Sequence, residues 1–276
     1  MQYKVSRQER ETAWSFKASK SSSAGPTAVG GYGWGQKIDH SGRKESRQLL
    51  KSLREMGVAL PLRGYAAGEV IEWEGERTDG LHIVAEGVVS LHAEYAGYAR
   101  RKRATLGLVG PWEPFGYPAF VAGSRVTSAE AFVECEIATV PRSTLERAVR
   151  LRPELALTLS NLLEEALGFR EERMWCLFSR RAEVRLARSL MFLAGRFGED
   201  TGKDGTVITL ELNQQHLADL IAATRETIGP ILRRLRERRI LEMEDSFITI
   251  LDPGRLAGIA GGNQADELIG IHSGKP

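Results

Sequence analysis

The chain has 276 residues, enough for roughly two domains and a packed core. Its 42% hydrophobic and 27% charged residues are those of a soluble globular protein. With 38 Lys and Arg against 36 Asp and Glu, the net charge of +2 excludes a chain that is basic all over. It leaves room for a local basic patch, because charge is felt only over about 8–10 Å. Cys135 and Cys176, the two cysteines, are too few for a disulfide framework or a four-thiolate site and suit a reducing, cytoplasmic setting. No run approaches the roughly 18 apolar residues of a membrane span, and the first residues lack a signal-peptide core. No membrane association is expected.

Residues 1–45 are rich in Gly and Ser and carry eight basic against four acidic side chains. Such a segment cannot bury enough apolar surface to offset its ordering entropy, so a flexible basic tail is expected, with a nucleic-acid-binding arm as the alternative. A short helix is predicted over Gln48–Met56. Between Leu60 and Val140, short β-prone runs such as Val70–Glu72, Leu81–Val84 and Val88–His92 are punctuated by Gly64, Gly68, Gly75, Gly80 and Gly87. That spacing predicts an all-β sandwich or barrel over 46–152.

Helical texture begins after Pro141. Ser143 is placed to cap a short helix, and Pro153 fits the first turn of a long one over 153–179. Along it Leu155, Leu159, Leu162, Ala166, Phe169, Arg173 and Cys176 alternate by four and three, a stripe that predicts a two-helix seam between copies of the chain. A helix packed on its own domain is the alternative. Another helix is predicted over Arg181–Arg196, then a polar, glycine-rich loop over Gly198–Gly205.

The informative stretch is Leu212–Leu241. Asn213 can cap a helix carrying Leu217, Leu220 and Ile221, Ala222-Ala223 forms a turn, and Thr224 can cap a second helix. Ile228, Ile231, Leu232 and Leu235 give that helix one buried face. Between Arg225 and Arg239 stand six arginines against Glu226 and Glu237. The runs Ile240–Leu241 and Phe247–Leu251 read as a hairpin beside it, a wing. This is the layout of a winged helix-turn-helix, and double-stranded DNA is the partner it predicts.

Taken with the glycine-punctuated roll, the chain resembles the Crp/Fnr family of bacterial transcription regulators over about residues 50–258. The most specific matches are Thr224-Arg225-Glu226-Thr227-Ile228-Gly229, Gly68-Glu69-Val70-Ile71 and the run from Asp79 to Val89. The resemblance implies an α+β chain: a cyclic-nucleotide-binding-type β-roll (jelly roll), a dimerisation helix, a DNA-binding domain over 180–260 and a flexible tail over 261–276. It implies a homodimer on a palindromic operator, RNA polymerase as a further partner, and no enzymatic activity or cofactor. Arg225 and Glu226 become the base readers, consistent with Arg pairing to guanine and Glu accepting from cytosine. Thr224, Gln214, Thr227, Gly229, Arg233 and Arg234 become phosphate or secondary contacts.

The sequence departs from the family's pattern at three places. Pro230 stands where a polar or basic contact residue is common, and it predicts a kink or a first turn set apart. Ala222 occupies a turn position where glycine is common. In the expected effector pocket, built from Gly116, Tyr117, Pro118, Thr127 and Ser128, Tyr117 replaces the acid and Thr127 the phosphate-binding arginine. A phosphate without a cation is poorly held, although Arg125 lies two residues away. Regulation independent of cyclic AMP is therefore expected, with a cyclic nucleotide or another small effector as the alternative. His82, His92 and His216 are expected to be structural, as are both cysteines, and no metal site is expected.

Overall fold

In the computed structural model, which describes residues 41–77, 80–96, 101–116, 124–202 and 205–261, a helix, α1 (Ser41–Glu55), begins inside the segment expected to be a tail. Leu49, Leu50 and Leu53 give this charged stretch one apolar face, and all three are buried. The rest of the expected N-terminal tail, and the expected C-terminal tail from 262 onward, fall outside the described residues. All described residues belong to one compact unit, Ile38–Pro276.

Eight strands follow: β1 (Leu62–Tyr65), β2 (Val70–Glu72), β3 (Gly80–Glu86), β4 (Val89–Ala96), β5 (Arg101–Val109), β6 (Pro114–Phe115), β7 (Ser128–Ala131) and β8 (Cys135–Pro141). They form two four-stranded antiparallel sheets, in the orders β1-β8-β3-β6 and β2-β7-β4-β5. One sheet contributes Tyr65, Val84, Phe115, Cys135 and Ile137 to the core, and the other Val89, Val109, Ala129 and Ala131. Two apolar faces closing on one another make this the sandwich-like roll expected from the strand spacing. Gly87 turns β3 into β4 at φ +85°, a conformation that suits glycine.

Two helices lead out of the roll. In α2 (Arg142–Leu151) the residue at the cap is Pro141, so Ser143 sits inside the first turn and caps nothing. The long helix α3 (Leu155–Leu177) then runs past α1 and β5 to α4 (Ala182–Phe197). Here the structure differs from the expected seam. Leu155, Leu159, Leu162, Arg173 and Cys176 are buried within their own chain, with Ala166 and Phe169 partly covered beside them. Their stripe packs inward, and burial this complete leaves those five no area to bury against a second copy.

The C-terminal part holds α5 (Gln214–Leu220), α6 (Arg225–Glu237) and α7 (Pro253–Gly261), with β9 (Gly198–Asp200), β10 (Thr206–Ile208), β11 (Leu241–Glu244) and β12 (Phe247–Ile250). The four strands form one antiparallel sheet, β11-β12-β10-β9. The stretch expected to be a loop over Gly198–Gly205 thus contains β9 and leads into β10. No described helix is long and apolar enough to cross a membrane.

A side chain at position 87 would add a left-handed backbone strain to a clash, since a Cβ there comes 2.3 Å from the Glu134 carbonyl oxygen and 2.6 Å from the Cys135 Cβ. Gly87→Ala should lower unfolding free energy by about 2–4 kcal/mol, read from the midpoint of urea denaturation.

Candidate nucleic-acid interface

The helix-turn-helix is set by local chemistry. The Asn213 side-chain oxygen accepts from the His216 backbone N–H at 2.8 Å and starts α5. Gln215 donates to Asp219 at 2.7 Å one turn on. Leu217, Ala218, Leu220 and Ile221 are buried against the face of α6 that carries Ile228, Ile231, Leu232 and Leu235. The turn between them passes through Ala222 at φ +49°, a left-handed conformation held in a non-glycine residue. Thr224 occupies the cap position of α6 with extended backbone, but its hydroxyl contacts the Thr227 hydroxyl at 3.1 Å rather than a backbone N–H.

Pro230 lies inside α6, yet the helix runs unbroken over Arg225–Glu237, and its first turn is not set apart as the sequence predicted. Proline leaves one carbonyl, that of Glu226, without an i+4 donor, and Pro230 itself is exposed, where water can serve that oxygen. The opposite side of the helix presents Arg225, Glu226 and Arg233 to solvent. A groove of about 260 Å³ brings Gln214, Gly229, Pro230, Arg233, Arg236 and Met243 together. It joins the start of α5, the outer face of α6 and the wing strand β11. Arg234 departs from this set: it lies 3.7 Å from Glu183 of α4. Arg225, Arg233 and Arg236 make no ion pair among the described residues. The wing is a tight hairpin whose two-residue turn, Asp245-Ser246, has both φ positive.

Three arginines fix where this module sits. The buried Arg173 guanidinium donates to the Leu220 carbonyl at the end of α5, to the Thr105 carbonyl of β5 at 3.1 Å and to the Ser189 hydroxyl of α4 at 3.5 Å. Arg185 donates to the Ile221 carbonyl at 2.9 Å and the Ser179 carbonyl at 2.8 Å. Arg188 donates to the carbonyls of Phe178 at 2.6 Å, Ala260 at 2.7 Å and Trp175 at 3.3 Å. Across the same junction Phe132 packs on His216 at 4.7 Å between ring centres, and Arg196 of α4 pairs with Glu113 of the roll. Sequence reading missed these anchors. Its one signal was Arg173, an arginine interrupting an apolar stripe.

In the roll, the expected effector residues separate. Tyr117 and Pro118 lie outside the described residues. Gly116 has φ +80°, and a Cβ there would come 2.8 Å from the His82 ring. The Ser128 hydroxyl already accepts from the Glu74 N–H at 3.0 Å. Arg125 is buried and paired with Glu72, which also meets His82 Nε2 at 2.5 Å. Arg125, two residues from the expected phosphate position, is therefore held by a carboxylate of the roll. Of the three described residues of this set, Thr127 lines a mainly apolar cavity of about 320 Å³ between the roll, α3 and α4.

Burial explains the behaviour of the other sensing candidates. It raises the Cys135 thiol to about 11 and raises Cys176 as well, which suppresses the reactive thiolate. It lowers His92, which meets Arg103 at 2.9 Å. His82 bonds Thr139 at 2.9 Å, and His216 bonds the Glu211 carbonyl at 3.2 Å. Among the described residues no group of three or more His, Cys, Asp or Glu is placed to hold a metal ion.

Residues 184–259 match the family model of the Crp-like helix-turn-helix domain, and residues 62–151 that of the cyclic nucleotide-binding domain. The nitrogen fixation regulation protein FixK of Azorhizobium caulinodans is 30% identical over 188 residues, covering 68% of this chain and 73% of that protein. The CRP-like cAMP-activated global transcriptional regulator of Mycobacterium tuberculosis is 29% identical over 194 residues, 70% of this chain and 85% of that one. Among solved structures, a Crp/Fnr-family transcriptional regulator from Thermus thermophilus matches with a TM-score of 0.60 at 25% identity, covering 73% of this chain and 99% of that one. FixK2 from Bradyrhizobium japonicum, at 23% identity and a TM-score of 0.63 over 73% of this chain and 98% of that one, shares the fold.

The left-handed alanine in the turn carries a cost that glycine does not. Ala222→Gly should raise unfolding free energy by about 0.5–1 kcal/mol, the relief of strain outweighing the extra entropy of the unfolded chain, as measured by urea denaturation.

Proposed function

The chain belongs to the Crp/Fnr family of transcription regulators, and we propose that it acts as a homodimer that reads a palindromic operator without requiring cyclic AMP. It is a DNA-binding transcription regulator with a domain of the effector-binding type. The observation that carries the finer reading is the exposed arginine face of α6, bordered by the wing and open to a groove. Four arginines against two glutamates on α6, with Arg238 and Arg239 just past its end, concentrate in one place the positive charge that the whole chain, at +2, lacks. In this reading Arg225 and Glu226 reach base edges at the helix N-terminus. Gln214, Thr224, Thr227, Gly229 and Arg233 set register on phosphates, and Arg234 contributes less because Glu183 shares its charge.

The seam proposed here is the outer face of α3, in place of the buried stripe. Ala156, Ser160, Leu163, Leu167, Arg170 and Met174 alternate by four and three, and Leu163, Leu167 and Met174 are exposed by 37%, 58% and 57%. Large apolar side chains in solvent along such a repeat are those a partner helix covers. Two copies joined there would present two recognition helices, and RNA polymerase is the partner through which a regulator bound next to a promoter would act.

Independence from cyclic AMP is supported by Thr127 at the expected cation position and by the Arg125–Glu72 pair. A second reading, that a different small effector switches the protein, is favoured by the cavity at the junction of the roll, α3 and α4.

Selection of bound duplexes from a random pool should return a two-fold symmetric site with half-site centres about 34–36 Å apart. Recovery of sites without symmetry would overturn the dimeric reading. Arg225→Ala should lose about 1–3 kcal/mol per half-site on the selected operator and relax one base position. Cyclic AMP should leave operator affinity unchanged in protein stripped of ligand, and a large enhancement would contradict the proposal. Leu167→Asp should yield a monomer by light scattering and weaken operator binding by about a hundredfold through loss of the second half-site.

A further inference from the structure

Two adjacent residues in the middle of α6 weaken the helix and return nothing to the fold. Glycine and proline are the least favourable residues in a helix interior, and Gly229 and Pro230 stand side by side within Arg225–Glu237. Gly229 keeps helical backbone, which any residue adopts. Apart from its chain neighbours and the helix's own backbone, a Cβ there would meet, among the described residues, only the Gln214 side-chain oxygen, at 3.8 Å. Neither conformation nor packing calls for a glycine. Pro230 is exposed, so its ring fills no part of the core. It also stands at the sixth position, beyond the first turn in which a helix tolerates proline. What the pair serves lies outside the chain.

Its surroundings say what that is. Glu226, Pro230 and Arg233 follow one another along the outer stripe of α6 at steps of four and three residues, all three exposed. The groove of about 260 Å³ runs past Pro230, with Leu232 and Met243 as further apolar lining and Gln214, Arg233 and Arg236 as donors. A rigid hydrocarbon ring thus sits in the middle of a charged face, where a donor would be expected.

We infer that the Pro230 ring, in the room that Gly229 leaves beside it, reads the C5 methyl group of a pyrimidine in the major groove. The inference deepens the reading of α6 as the recognition helix and rests on it. Hydrogen-bond donors and acceptors make up the major-groove edges of the base pairs, and the one apolar group among them is the thymine methyl. Proline has no side-chain donor or acceptor to offer the others. A polar base edge placed against the ring loses its water and gains no partner, so the contact that favours a methyl also rejects its competitors. The ring has no rotamers to freeze, so ordering it on DNA costs little entropy. Thymine and 5-methylcytosine carry the same methyl at the same place. Four residues from Glu226 to Pro230 span about 6 Å of helix, close to two base-pair steps of about 3.4 Å. The methyl therefore belongs within two base pairs of the base that Glu226 reads.

Variants of the operator selected by the full-length protein test the contact one methyl at a time. Deoxyuridine in place of thymine removes that group alone. One position per half-site, within two base pairs of the base assigned to Glu226, should lose about fourfold in affinity for each half-site changed, the worth of one methyl taken from water. At that position 5-methylcytosine should bind more tightly than cytosine by a similar factor, and the tighter of thymine and 5-methylcytosine identifies the source of the methyl. Pro230→Ser should bring the thymine-to-deoxyuridine ratio to about one, whereas a proline that only shapes the helix would alter both affinities alike and leave the ratio standing. Gly229→Ala should raise the urea midpoint of unfolding yet weaken the operator about tenfold, a loss that cannot come from unfolding. Absence of a pyrimidine at that distance, indifference to the methyl, a ratio that survives Pro230→Ser, or full operator affinity in Gly229→Ala would each overturn the assignment. Failure to select any duplex would overturn it together with the reading of α6 as a DNA-binding helix, an outcome distinct from a selected operator that ignores the methyl.

Discussion

A guanidinium removed from water must find acceptors, and Arg173 finds them in three parts of the chain at once: a strand of the roll, a helix of the DNA-binding module, and the carbonyl that closes α5. Burial lowers its affinity for the proton, yet arginine stays charged in proteins, so the positive charge is held by carbonyl dipoles rather than by a carboxylate. Such a bond set is directional. It can be satisfied only when roll, long helix and helix-turn-helix stand in one arrangement, and Arg185 and Arg188 repeat the device with the carbonyls at the end of α3 and with Ile221. Removing any one of these side chains frees carbonyls that a neighbouring water can serve, whereas removing the carbonyl geometry strands a charge.

The inward stripe of α3 shows how far periodicity reaches. Alternation by four and three correctly marks a face that is dry, but carries no mark of what keeps it dry. Leu155, Leu159 and Leu162 are covered by their own chain, where α3 runs along α1, a helix whose own apolar face is only three leucines in a charged run and whose start is lost in the composition of the segment before it. A second stripe, Leu163, Leu167 and Met174, lies beside the first and is weaker in the sequence because Ser160 and Arg170 interrupt it. Arg173 was the one residue at odds with a plain apolar seam, and it turned out to be the anchor of the junction.

Elements with local signals were legible and those defined by distant contacts were not. Asn213 as a cap, the buried face of α6 and the hairpin of the wing each follow from residues within a few positions of one another. By contrast β9 and β10 are each only three residues long and are separated by a glycine-containing polar stretch. They are strands because Gly205, at φ +99°, brings the chain back against β12, so close that a Cβ would sit 2.2 Å from the Ile250 carbonyl oxygen. The same holds in the roll. That threonine stands at position 127 is plain from the chain, but the burial of Arg125 against Glu72 and His82 depends on β2 and β3 meeting in space. Pro230 is the opposite case: the rule against proline in a helix is sound, but at the sixth position of an exposed face it affects one carbonyl that solvent can reach.

The arginines therefore divide by environment into two kinds of work. On α6 they are exposed, and Arg225, Arg233 and Arg236 make no ion pair among the described residues, so an anionic polymer meets a row of point charges. At the junction Arg173, Arg188 and Arg196 are buried, and their field is confined by carbonyls and by Glu113. A near-neutral chain can carry both because the acids are not spread evenly: Glu113 neutralises Arg196 inside, while Glu183 tempers only Arg181 and Arg234 on the flank of α6 and leaves Arg225 and Arg233 clear. The two sets meet at one place, since Leu220 and Ile221, the residues that precede the turn into α6, are themselves the acceptors of Arg173 and Arg185.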